Sequence, residues 1–169
     1  MKQNYIMMFL LIVGVQLLIC NYLHVSTFLT LSILPCAILL MPTRYSPVVA
    51  MLLAFVSGLA VDTLAEGVTG LNALALVPVA GASRWICGFI FGKELTSTGE
   101  DVSMMKYGIG KMALAIFIAQ FIFLAIYIWA DGAEARPFMF NALRFSVSLV
   151  AGTLISLIIA NLLDPNERK

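Results

Sequence analysis

Long apolar runs, separated only by short polar segments, constrain the fold of this chain more than any other feature. Of its 169 residues, 62% are hydrophobic and 11% are charged, whereas a soluble domain has about 25% charged residues. So few charged residues do not cover a surface that faces water. No polar run is long enough to fold by itself, so the sequence predicts one transmembrane domain over residues 1–169.

Six of these runs approach the length of about 20 residues that a helix needs to cross the hydrocarbon core of a bilayer. We therefore expect an all-α integral membrane protein with six transmembrane helices. Pro35 predicts a kink in the second helix, and the longest polar segment is Gly92 to Met105. The predicted helices are about Tyr5 to Tyr22, Thr27 to Met41, Pro47 to Ala65, Leu71 to Phe91, Lys106 to Trp129 and Phe138 to Leu163.

The placement of Lys and Arg predicts that both termini lie in the cytoplasm, because cytoplasmic loops of membrane proteins carry the excess of these residues. With the N-terminus inside, Arg136 is the only Lys or Arg residue in the predicted outer loops. The first apolar run resembles a signal peptide, but no Ala-x-Ala cleavage site follows it, which favours an uncleaved helix. The predicted inner side contains Lys2, Arg44, Lys93, Lys106, Lys111, Arg168 and Lys169.

Two carboxylates interrupt the apolar stretch from Ala54 to Trp85. A charge within lipid costs about 2.5–3.5 kcal/mol or more, so such residues usually face protein or water and mark function. For Asp62 we expect a structural or functional role inside the protein, although a cap or salt bridge near the interface is the alternative. For Glu66, one turn later, an exposed loop residue is the favoured interpretation. Arg144, at a similar predicted depth, is the expected ionic partner of Asp62.

Other polar and small residues allow two interpretations each. Arg84 either extends to the cytoplasmic headgroups or contacts a partner or Glu94. Gln16 and Gln120 are expected to make hydrogen bonds between helices. Small residues at four-residue spacing let membrane helices approach closely, and packing inside the bundle is favoured over a subunit interface. These small residues are Ala54 with Gly58, Gly88 with Gly92, and the series Ser148, Gly152, Ser156 and Ala160.

No catalytic set, metal site or cofactor motif is visible in the sequence, so we predict a protein that is not an enzyme. The single His24 has no ligand cluster or nucleophile near it, and the three cysteines lie in apolar runs, where they are expected to be small buried hydrophobes. The net charge of +1 says little about partners, and nothing basic and aromatic suggests nucleic acid. Membrane lipids are the expected surroundings.

The segment Gly58-Leu59-Ala60-Val61-Asp62, followed by Gly67, Gly70 and Ala73-Leu74, resembles the rod shape-determining protein MreD family. Members of that family have a Gly-Leu-x-x-Asp core and then a glycine-rich turn before an Ala-Leu helix. The turn in this chain contains Glu66 and Val68-Thr69, which is not the commonest form. Length, helix count and the lack of extramembrane domains fit the family across the whole chain.

The resemblance implies a scaffold or regulatory subunit of bacterial cell-wall elongation in the inner membrane. Its implied partners are an MreC-like single-span protein, the MreB filament, and RodA with a class B penicillin-binding protein. The implied fold is similar to that of the S-components of ECF vitamin transporters. Asp62, Gly58 and Gly70 are the implied functional positions. Such a scaffold would bind partner helices by close packing at small residues.

A vitamin-like transport component is the alternative function. Such components often dock through an Ala-x-x-x-Ala pair in the first helix, where this chain has Gly14 and no such pair. A polar lining for a ligand is thin, although Asp62, Glu66 and Arg144 would supply one if they lay together.

Overall fold

The structure is a computed structural model that describes residues 5–22, 30–42, 45–66, 70–92, 102, 104–132 and 137–163. Within these ranges 87% of the residues are helical and there are no strands, as the all-α prediction requires. A π-helical turn, Asp62–Glu66, continues the third helix. The α-helices of the described ranges are α1 (Tyr5–Tyr22), α2 (Leu34–Leu39), α3 (Pro47–Val61), α4 (Leu71–Ile90), α5 (Met104–Tyr107), α6 (Ile109–Gly132) and α7 (Phe138–Leu162).

Among the residues that the structure describes, four helices are long and apolar enough to cross a membrane, as in a multi-pass membrane protein. They comprise residues Pro47–Ala65, Leu71–Ile90, Ile109–Asp131 and Phe138–Leu162. Helix α1 begins and ends where the sequence predicts, and it contains a shorter apolar run, Met7–Asn21. The predicted second helix, Thr27 to Met41, is wrong in its length: only the six residues of α2 are helical among those described.

Proline explains why the second helix is short. Pro35 has no N–H, so in a helix from Thr27 to Met41 the carbonyl of Leu31 would lack its donor, and the proline ring would also clash with that carbonyl. Residues 30–33 are instead non-helical, and α2 begins at Leu34 with Pro35 in its first turn. Proline is tolerated there because first-turn N–H groups have no partner inside the helix.

Helix α2 is the centre of the bundle. All six of its residues are buried, and it contacts α1, α3, α4 and α6. Around it, α3 packs on α4, α4 on α6, and α6 on α7. The outward faces of these helices carry large apolar side chains, including Leu52, Trp85, Phe89 and Val150. An apolar outer face around a core that contains polar residues is the arrangement that a lipid environment favours, since lipid tails do not repel apolar side chains.

Hydrogen bonds between helix ends show which of these ends lie at the same side of the molecule. At one side, the end of α3 meets the start of α4 through Asp62, and the end of α6 meets the start of α7 through Asp131 and Arg144. At the opposite side, the turn before α3 meets the last third of α4 through Tyr45 and Arg84. If the termini are inside, as the sequence predicts, the first side is the outer one.

Candidate functional site

Asp62 joins the end of α3 to the start of α4. Its side chain is 0% exposed and accepts four hydrogen bonds. Oδ1 accepts from the backbone and side-chain amides of Asn72, both at 2.9 Å. Oδ2 accepts from the backbone N–H groups of Gly70 at 3.0 Å and Ala73 at 3.3 Å. We name this arrangement of Asp62, Gly70, Asn72 and Ala73 the Asp62 clamp.

The clamp solves two electrostatic problems together. The first N–H groups of a helix have no intrahelical acceptor, and the N-terminal end of the helix dipole is positive. A carboxylate placed there accepts the unmatched donors and lies in a favourable field, so its removal from water costs less. Asp62 therefore does for α4 what an N-cap side chain does, but from the preceding helix.

Two glycines make the clamp possible. Gly70 precedes α4 with φ +102°, a left-handed conformation that glycine adopts without steric cost. A Cβ on Gly58 would lie 2.5 Å from both Cα and N of Ala73, so only glycine lets α3 approach the backbone of α4 this closely. The four-residue spacing of Gly58 and Asp62 places both against the same turn of α4. The motif on which the family resemblance depends is thus a helix-joining motif.

A π-helical turn carries the clamp carboxylate. The residues Asp62–Glu66 widen the last turn of α3, and such turns often occur at functional sites. The hydroxyl of Thr63 donates to the carbonyls of Leu59, at 2.8 Å, and Ala60, at 3.3 Å. These bonds give partners to carbonyl groups near the irregular turn. Glu66 ends this turn, while its side chain and Gly67 lie outside the described residues.

Arg144 does not pair with Asp62, and the predicted ion pair is wrong. Its Nη1 donates to Oδ2 of Asp131 at 2.5 Å, its Nε donates to the hydroxyl of Thr30 at 2.9 Å, and its guanidinium lies 5.9 Å from the ring centroid of Tyr127. The prediction failed because it compared only the expected membrane depths of Asp62 and Arg144. Asp131, at the end of α6, lies beside the start of α7 and is the carboxylate that Arg144 reaches. The polar lining proposed for a ligand is accordingly divided between two sites.

The buried amides hold the non-helical residues 30–33, a role that was not predicted from the sequence. Gln16 accepts from the N–H of Ile33 at 2.9 Å and donates to the carbonyl of Leu31 at 3.0 Å. The second bond replaces the donor that Pro35 lacks. Gln120 donates to the carbonyl of Ser32 at 2.7 Å. The hydrogen bonds expected between helices are therefore directed mainly at backbone groups that lack helical partners, although Gln120 also donates to Ser156 of α7. Pro35 was the signal in the sequence for such groups.

Three of the small residues along α7 face either residues 30–33 or Gln120, the amide that binds this segment. Ser148 accepts from the N–H of Thr30 at 2.9 Å, and Ser156 accepts from Gln120 at 3.0 Å. A Cβ on Gly152 would lie 3.3 Å from Nε2 of Gln120. These residues and Ala160 are buried, as are Ala54 and Gly58 on α3. Packing inside the bundle, the favoured prediction, agrees with these positions.

The predicted Gly88 and Gly92 packing pair is wrong for Gly92. Helix α4 ends at Ile90, and Gly92 follows it with φ +99°. This is the conformation of a glycine that terminates a helix, so Gly92 ends α4 and does not extend its packing face. Gly88 lies within α4 and is half-buried.

Arg84 extends toward the inner end of α4. It is exposed, and its Nη2 donates to the backbone carbonyl of Tyr45 at 2.6 Å. This reach toward the turn before α3 agrees with the predicted extension to the headgroup level, while the alternative partner Glu94 lies outside the described residues. The side chain borders a cleft between α2, α3 and α4 that is considered below.

Within the part of the chain that the structure describes, no group of three His, Cys, Asp or Glu residues is placed to hold a metal ion. The buried side chains of Asp62, Gln16, Gln120 and Arg144 instead bind groups of this chain. Comparisons with protein-family models, with curated proteins and with solved structures found no match to this sequence. The functional argument therefore depends on the residues and their geometry.

Proposed function

We propose that this chain is a non-enzymatic membrane scaffold of the MreD type, a regulatory subunit of bacterial cell-wall elongation. It would lie in the inner membrane and bind the transmembrane helix of an MreC-like protein together with the wall synthase, RodA and its penicillin-binding protein. The MreB filament would act on the inner side. The proposal rests on the Gly58 to Asp62 motif and on the multi-pass helical architecture.

The observation that carries this proposal is the internal use of the motif's polar atoms. The four acceptor bonds of Asp62 all go to the start of α4, and the deep amides of Gln16 and Gln120 bind the segment before α2. A bundle whose buried carboxylate and amides are satisfied internally offers outward helix faces, which is what a scaffold uses to bind other membrane helices.

The experiment is affinity purification of the tagged chain from its native membranes in mild detergent, followed by mass spectrometry of the proteins that remain bound. We expect an MreC-like protein and the RodA synthase pair. A Gly58→Leu variant, which separates α3 from α4, should retain less of both. Thr63→Ala, whose hydroxyl binds only carbonyls of its own helix, is the control for a substitution that leaves the packing of α3 on α4 in place. Recovery of neither partner would contradict the proposal.

A small-molecule transport component is the second candidate function, and one observation favours it. Residues 30–33 are non-helical next to the six-residue α2, and transporters often build binding sites around such interrupted helices. The same purification separates the two functions, because a transport component would retain a bound small molecule or an ATPase module. The division between the Asp62 clamp and the Arg144 site counts against a single polar pocket.

A further inference from the structure

A cleft opens beside Arg84 on the side of the molecule that the sequence assigns to the cytoplasm. It is shallow: its interior has a volume of about 20 Å³, room for about one water molecule, and the rest of its space lies at the open mouth. Its walls are mainly apolar and come from the end of α2, the start of α3 and the last third of α4. The lining includes Leu39, Pro47, Ala50, Ser83 and Arg84.

Arg84 gives this apolar cleft a cationic edge. The residue lies six positions before the end of α4, or about 9 Å along the helix, and its exposed side chain extends to the level of the Tyr45 carbonyl. A guanidinium presents five N–H donors in a planar fork that matches the oxygens of a phosphate. The Tyr45 bond orients this fork at the mouth of the cleft.

The surroundings of Arg84 indicate a ligand that comes from the membrane. The next residue, Trp85, is 74% exposed and stacks on Phe89, which is 76% exposed, with ring centroids 5.9 Å apart. Exposed aromatic side chains near a helix end are typical of the interface between lipid tails and headgroups. A ligand at Arg84 would therefore have an anionic group at the interface and an apolar part beside it.

We propose that the mouth of this cleft binds one anionic phospholipid, with its phosphate at the guanidinium of Arg84 and the upper part of an acyl chain beside the exposed rings of Trp85 and Phe89. Basic clefts between transmembrane helices on the cytoplasmic side bind anionic headgroups in this way. A zwitterionic lipid has the same phosphate but also an ammonium group, which the nearby cation disfavours. The site thus selects headgroup charge.

The two tryptophans of the chain permit a direct test. Trp85 follows Arg84, whereas Trp129 lies near the end of α6, at the opposite side of the molecule. A Trp129→Phe variant leaves Trp85 as the reporter in vesicles of phosphatidylcholine. Brominated phosphatidylglycerol should quench Trp85 with a relative binding constant about fivefold above that of brominated phosphatidylcholine, the effect of one basic residue at an anionic surface.

Variants in the same background assign the effect to Arg84. Arg84→Gln should lower the relative binding constant to about 1, since the guanidinium that binds the phosphate is removed, and Arg84→Lys should keep an intermediate value. Lys111→Gln, which removes another exposed cation on the same side, should leave the preference unchanged. Trp85→Phe, with Trp129 as the reporter, should show no preference.

Three results would overturn the proposal. The first is equal quenching of Trp85 by the two brominated lipids. The second is a preference that survives unchanged in Arg84→Gln. The third is loss of the preference when millimolar inorganic phosphate is added to Trp129→Phe vesicles at constant ionic strength, because the site would then bind a free anion and not a lipid.

Discussion

Asp62 shows how a single buried carboxylate organises two helices. The side chain is fully buried and its two oxygens receive four donors, of which three are backbone N–H groups at the start of α4. Hydrogen bonds to a charged acceptor contribute about 1.5–3 kcal/mol each when both partners are in place. The residue is therefore best understood as a structural anion whose binding partner is a helix terminus.

Replacing Asp62 by Ala should destabilise the fold by about 2–4 kcal/mol, because the first N–H groups of α4 lose their acceptors while they remain buried. Thermal unfolding in detergent, followed by circular dichroism, measures the change. Thr63→Ala is the matched control. Its hydroxyl is exposed and binds only carbonyls of its own helix, so we expect a change of about 0.5 kcal/mol or less. Equal effects at the two positions would contradict the clamp.

Gly58→Ala should also be destabilising, by about 1–3 kcal/mol, since the new Cβ would meet backbone atoms of α4 that do not move independently. The matched control is Gly14→Ala in α1, where nothing lies within 4 Å of the added Cβ. That change should be neutral or slightly stabilising, as alanine favours helix over glycine. Unfolding temperatures of the two variants in the same detergent test this order, and the reverse order would disprove the close approach.

At the scale of elements, the non-helical residues 30–33 are the least expected feature. Backbone without helical hydrogen bonds is tolerated at membrane depth only where it is buried in protein. Here the side chains of Gln16, Gln120 and Ser148 supply the partners. Ser32 Oγ is a buried atom without a hydrogen-bond partner in the described part of the chain. The amides thus act as substitutes for the missing turn of helix.

Gln16→Met, which keeps the length of the side chain, should destabilise the protein by about 2–4 kcal/mol. The substitution leaves the N–H of Ile33 and the carbonyl of Leu31 buried without their partners. Ser32→Ala changes the same segment but removes a hydroxyl that makes no bond, so it should be neutral or stabilising by up to about 1 kcal/mol. Thermal unfolding distinguishes the two, and a Gln16→Met variant as stable as Ser32→Ala would contradict this role.

The contact between α6 and α7 predicts which carboxylate is energetically coupled to Arg144. A double-mutant cycle with Asp131→Asn and Arg144→Gln should give an interaction energy of about 1–3 kcal/mol, because both side chains are largely buried, with 24% and 10% exposure, and in direct contact. A cycle with Asp62→Asn and Arg144→Gln should give about 0.5 kcal/mol or less. Unfolding free energies of the single and double variants supply both values. A larger coupling to Asp62 would restore the pairing expected from the sequence.

At the scale of the whole molecule, the bundle has two polar ends and a buried helix between them. Residues 30–33 cover at most about 13 Å and α2 adds about 9 Å. This segment connects the end that contains Arg144 with the end that contains Arg84. The chain thus returns through the middle of the bundle without a full-length second helix, while α3, α4, α6 and α7 supply the long helices around it.

The distribution of Lys and Arg predicts that the Arg84 end faces the cytoplasm. Alkaline phosphatase, which is active only outside the cytoplasm, should be active when it is fused after Glu134 and inactive when it is fused after Lys169. A fluorescent-protein fusion after Lys169 should be fluorescent. The opposite pattern would reverse the orientation, place the lipid cleft in the outer leaflet and require a new account of the partners.

Sequence reasoning succeeded where one local property decides the structure. The apolar run from Tyr5 to Tyr22 predicted the bounds of α1, because hydropathy and length suffice for an uninterrupted helix. Sequence reasoning also identified Asp62 as a residue that acts inside the protein. It failed where the partner comes from another element, as for Arg144, or where a glycine conformation depends on the end of a helix, as for Gly92.

The sequence by itself determined that this chain forms apolar helices, since charge content and run length set which residues tolerate lipid. It also marked Asp62, Pro35 and the buried amides as exceptions that need partners. Only the tertiary structure decided which partners these are. A buried polar group is satisfied by whichever donor or acceptor lies within about 3 Å of it, and helix packing, which sequence spacing does not encode, brings those groups together.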